Sequence, residues 1–200
     1  MLPIILASSS AYRAQILKKL AIPFFTDSPD IDESPLLHET VQQQVARLAI
    51  AKAQAVAAKH PAAYIIGSDQ LACFAGRALG KPGDFEQANT QLSMLSSQKV
   101  QFYTGLCLLN STNLAQQVLV EEFSVQFKIL KSSQIRRYLE IEQPFDCAGS
   151  FKSEGLGIAL FNKLQGRDPN TLVGLPLIAL VEMFNNWGID VFDYMHSSYF

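Results

Sequence analysis

Three nearby side chains near the start of the 200-residue chain suit the binding of phosphate. Ser8 and Ser10 offer hydroxyls, and Arg13 adds a guanidinium three residues later. The serines follow a short apolar run that predicts a buried strand, and apolar residues at helical spacing follow them, so Ser10 is predicted to cap a helix. Hydroxyls, free backbone N–H groups and a guanidinium at a helix start favour a phosphate group. A serine-rich cap beside a surface arginine is the alternative, and it is the commoner outcome for such a segment alone.

Asp69 and two lysines could supply an acid–base group and further cations. Asp69 follows the apolar run 64–67, a predicted buried strand, and carboxylates at strand ends in α/β sheets point into ligand crevices. Its alternative role is to cap the following turn. Lys81 stands in a G-K-P turn, a costly arrangement for a merely solvated charge. Lys52 lies on a predicted alanine-rich helix, and its segment alone indicates ordinary surface.

Asp30, Asp32 and Glu33 form an acidic segment that could hold a divalent cation. Carboxylates close to phosphate-binding groups suit Mg²⁺, which takes one or two carboxylates together with substrate oxygens. A solvated acidic loop is the alternative. The sequence contains no P-loop motif, no G-x-G-x-x-G motif and no histidine spacing typical of zinc or of a hydrolase triad.

Composition excludes several classes of protein. The chain is 48% hydrophobic and 17% charged, which is typical of a compact globular protein. A net charge of -2 without a basic run argues against a broad nucleic-acid interface. No apolar segment approaches the roughly 20 residues of a membrane-spanning helix, and no basic n-region precedes the apolar start. We therefore expect a cytoplasmic protein with no membrane and no nucleic-acid partner.

The order of predicted elements indicates the fold class. Strands and helices alternate in the first half of the chain, and two paired strands over 100–109 and 117–128 follow. An alternating pattern with an antiparallel pair predicts an α/β protein with a mixed sheet. Because the sequence shows no repeats and no low-complexity linker, we predict one continuous domain over residues 1–200.

Taken in order, these motifs resemble the Maf-like nucleoside triphosphate pyrophosphatases. The resemblance runs through L-A-S-S-S-A-Y-R at 6–13, D-E at 32–33, L-A-I-A-K-A at 48–53, I-G-S-D-Q at 66–70, G-K-P at 80–82 and F-Y-T-G-L at 102–106. S-D-Q in place of S-D-T, with C-A-G-S-F-K-S-E-G-L-G-I further on, is similar to the branch that hydrolyses 7-methyl-GTP. Two positions depart from the family pattern: Ala11 replaces a usual proline, and Ser97 a common glycine.

The resemblance implies a fold and an activity. The implied fold is an elongated single α/β domain with a central mixed, strongly twisted sheet flanked by helices, with two lobes around a cleft, assembled as a homodimer. The implied reaction cleaves 7-methyl-GTP to 7-methyl-GMP and pyrophosphate, a nucleotide-pool housecleaning role. The alternatives are a dTTP or UTP pyrophosphatase of the neighbouring branch, and a non-catalytic nucleotide-binding regulator of septum formation.

The resemblance also implies a role for each site residue. Asp69 and Lys81 are implied to be catalytic, with Asp69 either accepting a proton or only holding a metal. The implied phosphate contacts are Ser8, Ser10, Arg13, Lys52 and Lys81. The implied base-selectivity residues are Tyr12, Gln70 and Glu154. Glu33 and Asp69 are implied to hold a divalent cation, Mg²⁺ or Mn²⁺, with Co²⁺ as a further candidate.

Overall fold

The structure is a computed structural model that describes residues 2–197. Within that range the strands are β1 (Ile4–Ala7), β2 (Phe24–Asp27), β3 (Tyr64–Phe74), β4 (Arg77–Leu79), β5 (Lys99–Asn110), β6 (Ala115–Phe127) and β7 (Phe161–Gly166). The α-helices are α1 (Ala11–Leu17), α2 (Val41–Ala57), α3 (Phe85–Leu95), α4 (Ser132–Glu142) and α5 (Leu177–Asn186). Short 3₁₀ turns cover Lys18–Leu20, Ala148–Ser150, Leu156–Leu160, Pro169–Val173 and Val191–Ser197. None of the helices in the described range combines the length and the apolar character that crossing a bilayer requires.

The described residues divide into two compact units. Unit 1 takes those of Met1–Gln70, Thr104–Glu121 and Asp168–Phe200, and unit 2 takes Leu71–Tyr103 and Glu122–Arg167. The predicted single domain, its elongation and its cleft between two lobes stay predictions.

The sheet is mixed, as the sequence predicts. Hydrogen-bonded neighbours follow the order β2-β1-β3-β5-β6-β7, and β4 pairs with β3. β1 runs parallel to both β2 and β3, with Ile4 opposite Phe24 and Tyr64. β4 is antiparallel to β3, and β7 is antiparallel to β6. Four residues connect β5 to β6, a length that only an antiparallel pair allows.

In unit 1 the strand alternation sends apolar residues to two cores. One core holds Ile4, Leu6, Ile66, Leu106 and Leu108 together with buried residues of α1 and α5. The other holds Ile5, Ala7, Ile65, Cys107 and Leu109 together with alanines and Val56 of α2. Helices therefore cover both faces of this part of the sheet, with α2 on one side and α1 and α5 on the other.

Two glycines let α2 lie close to the sheet. A Cβ on Gly67 would collide with the backbone of Ala49 and Ala53, and one on Gly105 would collide with the backbone of Val45. Both positions lie on the α2 side of their strands. Because only glycine lacks the colliding atom, these two residues set the distance between α2 and the strands.

Unit 2 contains a cluster of aromatic side chains in edge-to-face contact. Phe151 contacts Phe102, Phe127 and Phe161 edge to face, with ring centroids 4.8 to 5.7 Å apart. Asp84 caps α3 by accepting from Gln87 N at 2.8 Å. β7 was missed from the sequence because most of its residues are solvent-facing and show no alternation of apolar and polar side chains.

Candidate active site

The serine segment after β1 is folded back on itself. Ser10 caps α1 by accepting from Arg13 N at 3.4 Å, which confirms the predicted cap. Ser8 is buried, and its Oγ accepts from Ser10 N at 3.1 Å and from Arg13 Nη1 at 3.4 Å. The two hydroxyls and the guanidinium predicted to bind phosphate are therefore neighbours in space. α1 has only seven residues, so Arg13 is the stronger source of positive charge here.

Arg13 reaches from α1 to the turn that precedes α5. Its Nε donates to the carbonyl of Gly174 at 2.9 Å, and Ser68 Oγ donates to the same oxygen at 2.8 Å. The pKa of the Arg13 guanidinium is lowered because burial disfavours its charge, and the negative charges of Asp69 and Glu33 offset part of this lowering. The guanidinium thus lies within electrostatic reach of both predicted metal-binding carboxylates.

Lys52 lies between two carboxylates. Its Nζ is 2.7 Å from Glu33 Oε1 and 2.7 Å from Asp69 Oδ1. Lys52 and Asp69 are buried, whereas 59% of the Glu33 side chain is exposed. The interpretation of Lys52 as ordinary surface is therefore wrong: its alanine-rich helix face packs on the sheet. Asp69 pairs with Lys52, which removes the basis for its alternative role as a turn cap.

Asp69 also lies inside a strand and not beyond one, so the predicted strand end is wrong. β3 continues to Phe74, whereas its parallel partner β1 ends at Ala7, opposite Gly67. β3 extends beyond the end of β1 because it also pairs with β5 and β4. Asp69 consequently stands two residues beyond the end of its parallel neighbour, where the sheet opens beside the serine segment.

Gln70 points away from Asp69. Its Nε2 donates to Thr104 Oγ1 at 3.0 Å and to the Thr171 carbonyl at 2.5 Å, and Thr104 Oγ1 donates to that carbonyl at 3.0 Å. Both threonines are buried. They belong to motifs visible in the sequence, F-Y-T-G-L and D-P-N-T, but nothing in those motifs assigns them to Gln70. Tyr12 is 38% exposed at the start of α1.

Lys81 and Glu154 belong to unit 2. Lys81 is exposed in a turn whose Gly80 carbonyl accepts from Gln91 Nε2 at 3.0 Å. Glu154 is exposed and accepts from Ser153 Oγ at 3.1 Å. The turn is thus anchored to α3, while the parts that Lys81 and Glu154 play in a reaction stay predictions.

Glu33 and Asp69 have the ligand type that a divalent cation requires. No group of three or more acidic, histidine or cysteine side chains suited to a metal occurs in the described part of the chain. Two carboxylates are nevertheless enough for Mg²⁺, which keeps several waters and takes further oxygens from a phosphorylated substrate. Both carboxylates already contact one cation, the Lys52 ammonium, so their oxygens are close enough to share another. The pair fits such an ion if Lys52 gives up or shares its place.

The fold and these residues define a mixed-sheet α/β protein in which cations and carboxylates, with Lys52 and Asp69 buried among them, meet where parallel strands end. A sequence model of the family described as "Maf-like protein" matches residues 3–187. The chain belongs to the Maf-like family.

Several curated relatives are similar over nearly their whole length. The "7-methyl-GTP pyrophosphatase" of Pseudoalteromonas atlantica is 57% identical over 192 residues, covering 96% of this chain and 98% of the relative. The protein of the same name from Alcanivorax borkumensis is 55% identical over 188 residues, covering 94% of this chain and 95% of the relative. Among solved structures, the Staphylococcus aureus Ham1 protein matches with a TM-score of 0.46 and 16% identity, over 64% of this chain and 73% of that one.

Proposed function

We propose that this protein hydrolyses 7-methyl-GTP to 7-methyl-GMP and pyrophosphate. The observation that carries the chemistry is the buried Lys52, paired at 2.7 Å with both Glu33 and Asp69 and lying near Arg13. Such cations suit the binding of a polyanionic substrate, and such carboxylates suit the positioning of the water that hydrolyses it. The substrate is supported by relatives of that name at 52–57% identity, together with the S-D-Q motif.

The triphosphate charge would be met by side chains of unit 1. Arg13 would donate to a phosphate oxygen through its Nη atoms, since its Nε already bonds to Gly174. Ser8 and Ser10 would add hydroxyl donors, because their oxygens act as acceptors in the contacts described above and their O–H groups can still donate. When a metal binds Glu33 and Asp69, the Lys52 ammonium would be able to donate hydrogen bonds to the phosphate oxygens.

Asp69 would orient the attacking water. Water adds to the α-phosphorus, the bond from that phosphorus to the bridging oxygen breaks, and pyrophosphate leaves with the electron pair. A divalent cation held by Glu33 and Asp69 would neutralise charge on the phosphates. We assign Oδ2 of Asp69 to the water proton because Oδ1 already bonds to Lys52. Asp69 would thus contribute by positioning the water and by accepting its proton.

Selection of the base is the most specific part of the proposal. Methylation at N7 makes guanine cationic, and an aromatic ring or a carboxylate attracts a cationic base more than a neutral one. Tyr12 supplies the ring, and Gln70 supplies an amide whose NH₂ group is already bonded to Thr104 and Thr171. With its NH₂ group so held, Gln70 would offer its carbonyl oxygen to donors on the guanine edge.

A panel of nucleoside triphosphates assayed for pyrophosphate with Mg²⁺ tests the proposal. We expect kcat/KM for 7-methyl-GTP to exceed that for GTP by about 10-fold or more, as a cation–π contact and hydrogen bonds would give. Equal values for the two nucleotides would contradict the substrate assignment. A preference for dTTP or UTP would move the protein to the neighbouring branch, and binding without pyrophosphate release would indicate the non-catalytic regulator.

Assembly and location complete the proposal. We propose a homodimer acting in the cytoplasm, where nucleotide pools are held. Light scattering coupled to gel filtration measures the mass in solution, and a value near the 22.1 kDa of one chain would contradict the dimer.

A further inference from the structure

We infer that Arg47 is a positioning residue that holds Glu33 in place for a divalent cation. The inference rests on the proposed function only in taking Glu33 and Asp69 as the carboxylates that bind the metal. Arg47 lies on α2, the helix that also carries Lys52.

Arg47 ties together two points of the segment between β2 and α2. Its Nε donates to Glu39 Oε1 at 2.7 Å and its Nη2 donates to Glu39 Oε2 at 2.8 Å. The same Nη2 donates to the Ser34 carbonyl at 3.0 Å. The Glu39 side chain is only 7% exposed, and its Oε2 also accepts from Leu36 N at 3.1 Å. A planar guanidinium makes this bidentate contact with fixed geometry, which an ammonium does not.

Glu33 needs such support because its own contacts are weak. Residues 28–36 form no helix or strand, so no backbone ladder fixes them. The Glu33 side chain is 59% exposed, and its ion pair with Lys52 contributes little by itself in such a wet setting. Besides this ion pair, the Arg47 contact to the Ser34 carbonyl, one residue from Glu33, joins the segment to α2.

The geometry makes Arg47 and Lys52 complementary. Lys52 attracts the Glu33 carboxylate, and Arg47 fixes the backbone that carries it. A metal that displaces the Lys52 ammonium would leave the backbone contact intact. Glu33 would then stay within reach of the ion that Asp69 binds, without paying the full entropy of ordering a loop.

The test compares Arg47→Gln and Arg47→Lys with Lys59→Gln as a matched control. Lys59 follows the same helix and pairs with Asp27 at 3.2 Å, away from the proposed metal carboxylates. The probe is Mn²⁺ alone, titrated into nucleotide-free protein and followed by electron paramagnetic resonance. We expect Arg47→Gln to raise the Kd for Mn²⁺ by about 10-fold, the usual effect of removing a group that orients a metal ligand. Arg47→Lys should give a smaller increase, and Lys59→Gln should leave the Kd unchanged.

Two further measurements separate positioning from general stability. Hydrogen exchange should become faster in Arg47→Gln at Leu36, whose N–H bonds to Glu39, and stay unchanged in α5. In a double-mutant cycle, Arg47→Gln should add almost nothing to the Mn²⁺ loss of Glu33→Gln, because Arg47 acts through Glu33. If Arg47→Gln does not fold, the smaller effect of Arg47→Lys is tested in the same cycle.

The outcomes are distinct. Wild-type Mn²⁺ affinity in Arg47→Gln, a loss that adds fully to that of Glu33→Gln, or no Mn²⁺ binding by the unaltered protein would each overturn the inference. Mn²⁺ binding that responds as expected in a protein that releases no pyrophosphate from any nucleotide would remove the proposed function and leave the role of Arg47 standing.

Discussion

Asp69 and Gln70 are adjacent on β3, and their side chains bond on opposite faces of the sheet. Asp69 Oδ1 accepts from Lys52 of α2 at 2.7 Å, while Gln70 Nε2 donates to Thr104 of β5 and to the carbonyl of Thr171. Strand alternation requires this separation. The chemistry that we assign to Asp69 and the base selection that we assign to Gln70 can therefore be altered one at a time.

Replacing Asp69 by asparagine tests the chemical role. The variant keeps a side chain of the same shape but loses the charge that pairs with Lys52, so we expect kcat to fall by about 10²- to 10⁴-fold. Pyrophosphate release at saturating 7-methyl-GTP measures the loss, and circular dichroism checks the fold. Asp146→Asn, at an exposed site in unit 2, is the control. Activity within a factor of a few of the unaltered protein would remove Asp69 from the mechanism.

Replacing Gln70 by threonine tests base selection. The shorter side chain loses both amide bonds and the carbonyl we assign to guanine, so kcat/KM for 7-methyl-GTP should fall relative to that for dTTP by about 10-fold or more. Steady-state kinetics on both nucleotides gives this ratio. Thr104→Val, which removes one partner of the Gln70 amide, should shift the ratio the same way by less. An unchanged ratio in Gln70→Thr would show that base selection lies elsewhere.

Replacing Ser97 by glycine should stabilise the protein. Ser97 has a φ of 64°, in the left-handed region. The Maf-like sequence pattern described above commonly has glycine at this position. Relief of that conformation gains about 1–2 kcal/mol, and the greater freedom of glycine in the unfolded chain offsets up to about 1 kcal/mol of it. Chemical denaturation measures the difference. Ser96→Gly is the contrasting variant: φ there is -54° and Ser96 Oγ accepts from Leu130 N at 2.8 Å, so stability should fall.

Replacing Asp84 by asparagine should flatten the acid dependence of stability. Hydrogen bonds from the backbone and the side chain of Gln87 hold the pKa of Asp84 below its ordinary value of 3.8. A lowered folded-state pKa gives stabilisation that is complete above the unfolded pKa and is lost as pH falls through the folded pKa. Asparagine still caps α3 but does not titrate. Urea midpoints should match near pH 7, and the variant should lose less between about pH 4 and pH 2. An equal fall of the urea midpoint with pH in the variant and the unaltered protein would contradict this prediction.

Local signals in the sequence were enough to predict most elements of the fold. Ser10 caps α1 as predicted, and the strand pair β5–β6 lies within two residues of its predicted bounds at every end. β7 was missed because its partners, not its own pattern, make it a strand. The end of β3 was wrong for a related reason, since pairing with distant strands decides where it stops.

The candidate site was predicted in part, and the missing part depends on tertiary contacts. Residue types and the order of the motifs predict that Ser8, Arg13 and Asp69 belong to one site. Nothing local reveals that Lys52 is buried, because that depends on how closely α2 approaches the strands. The bonds of Gln70 to Thr104 and Thr171 join residues up to 101 positions apart, beyond the reach of any local pattern.

Gly67 and Gly105 make the candidate site sensitive to substitutions at positions that carry no reactive group. A methyl group on either strand would force α2 outward, and Lys52 would move with the helix. Substitution is then constrained at two positions buried beneath α2, because the ion pair between Lys52 and Asp69 depends on the absence of a side chain at each of them.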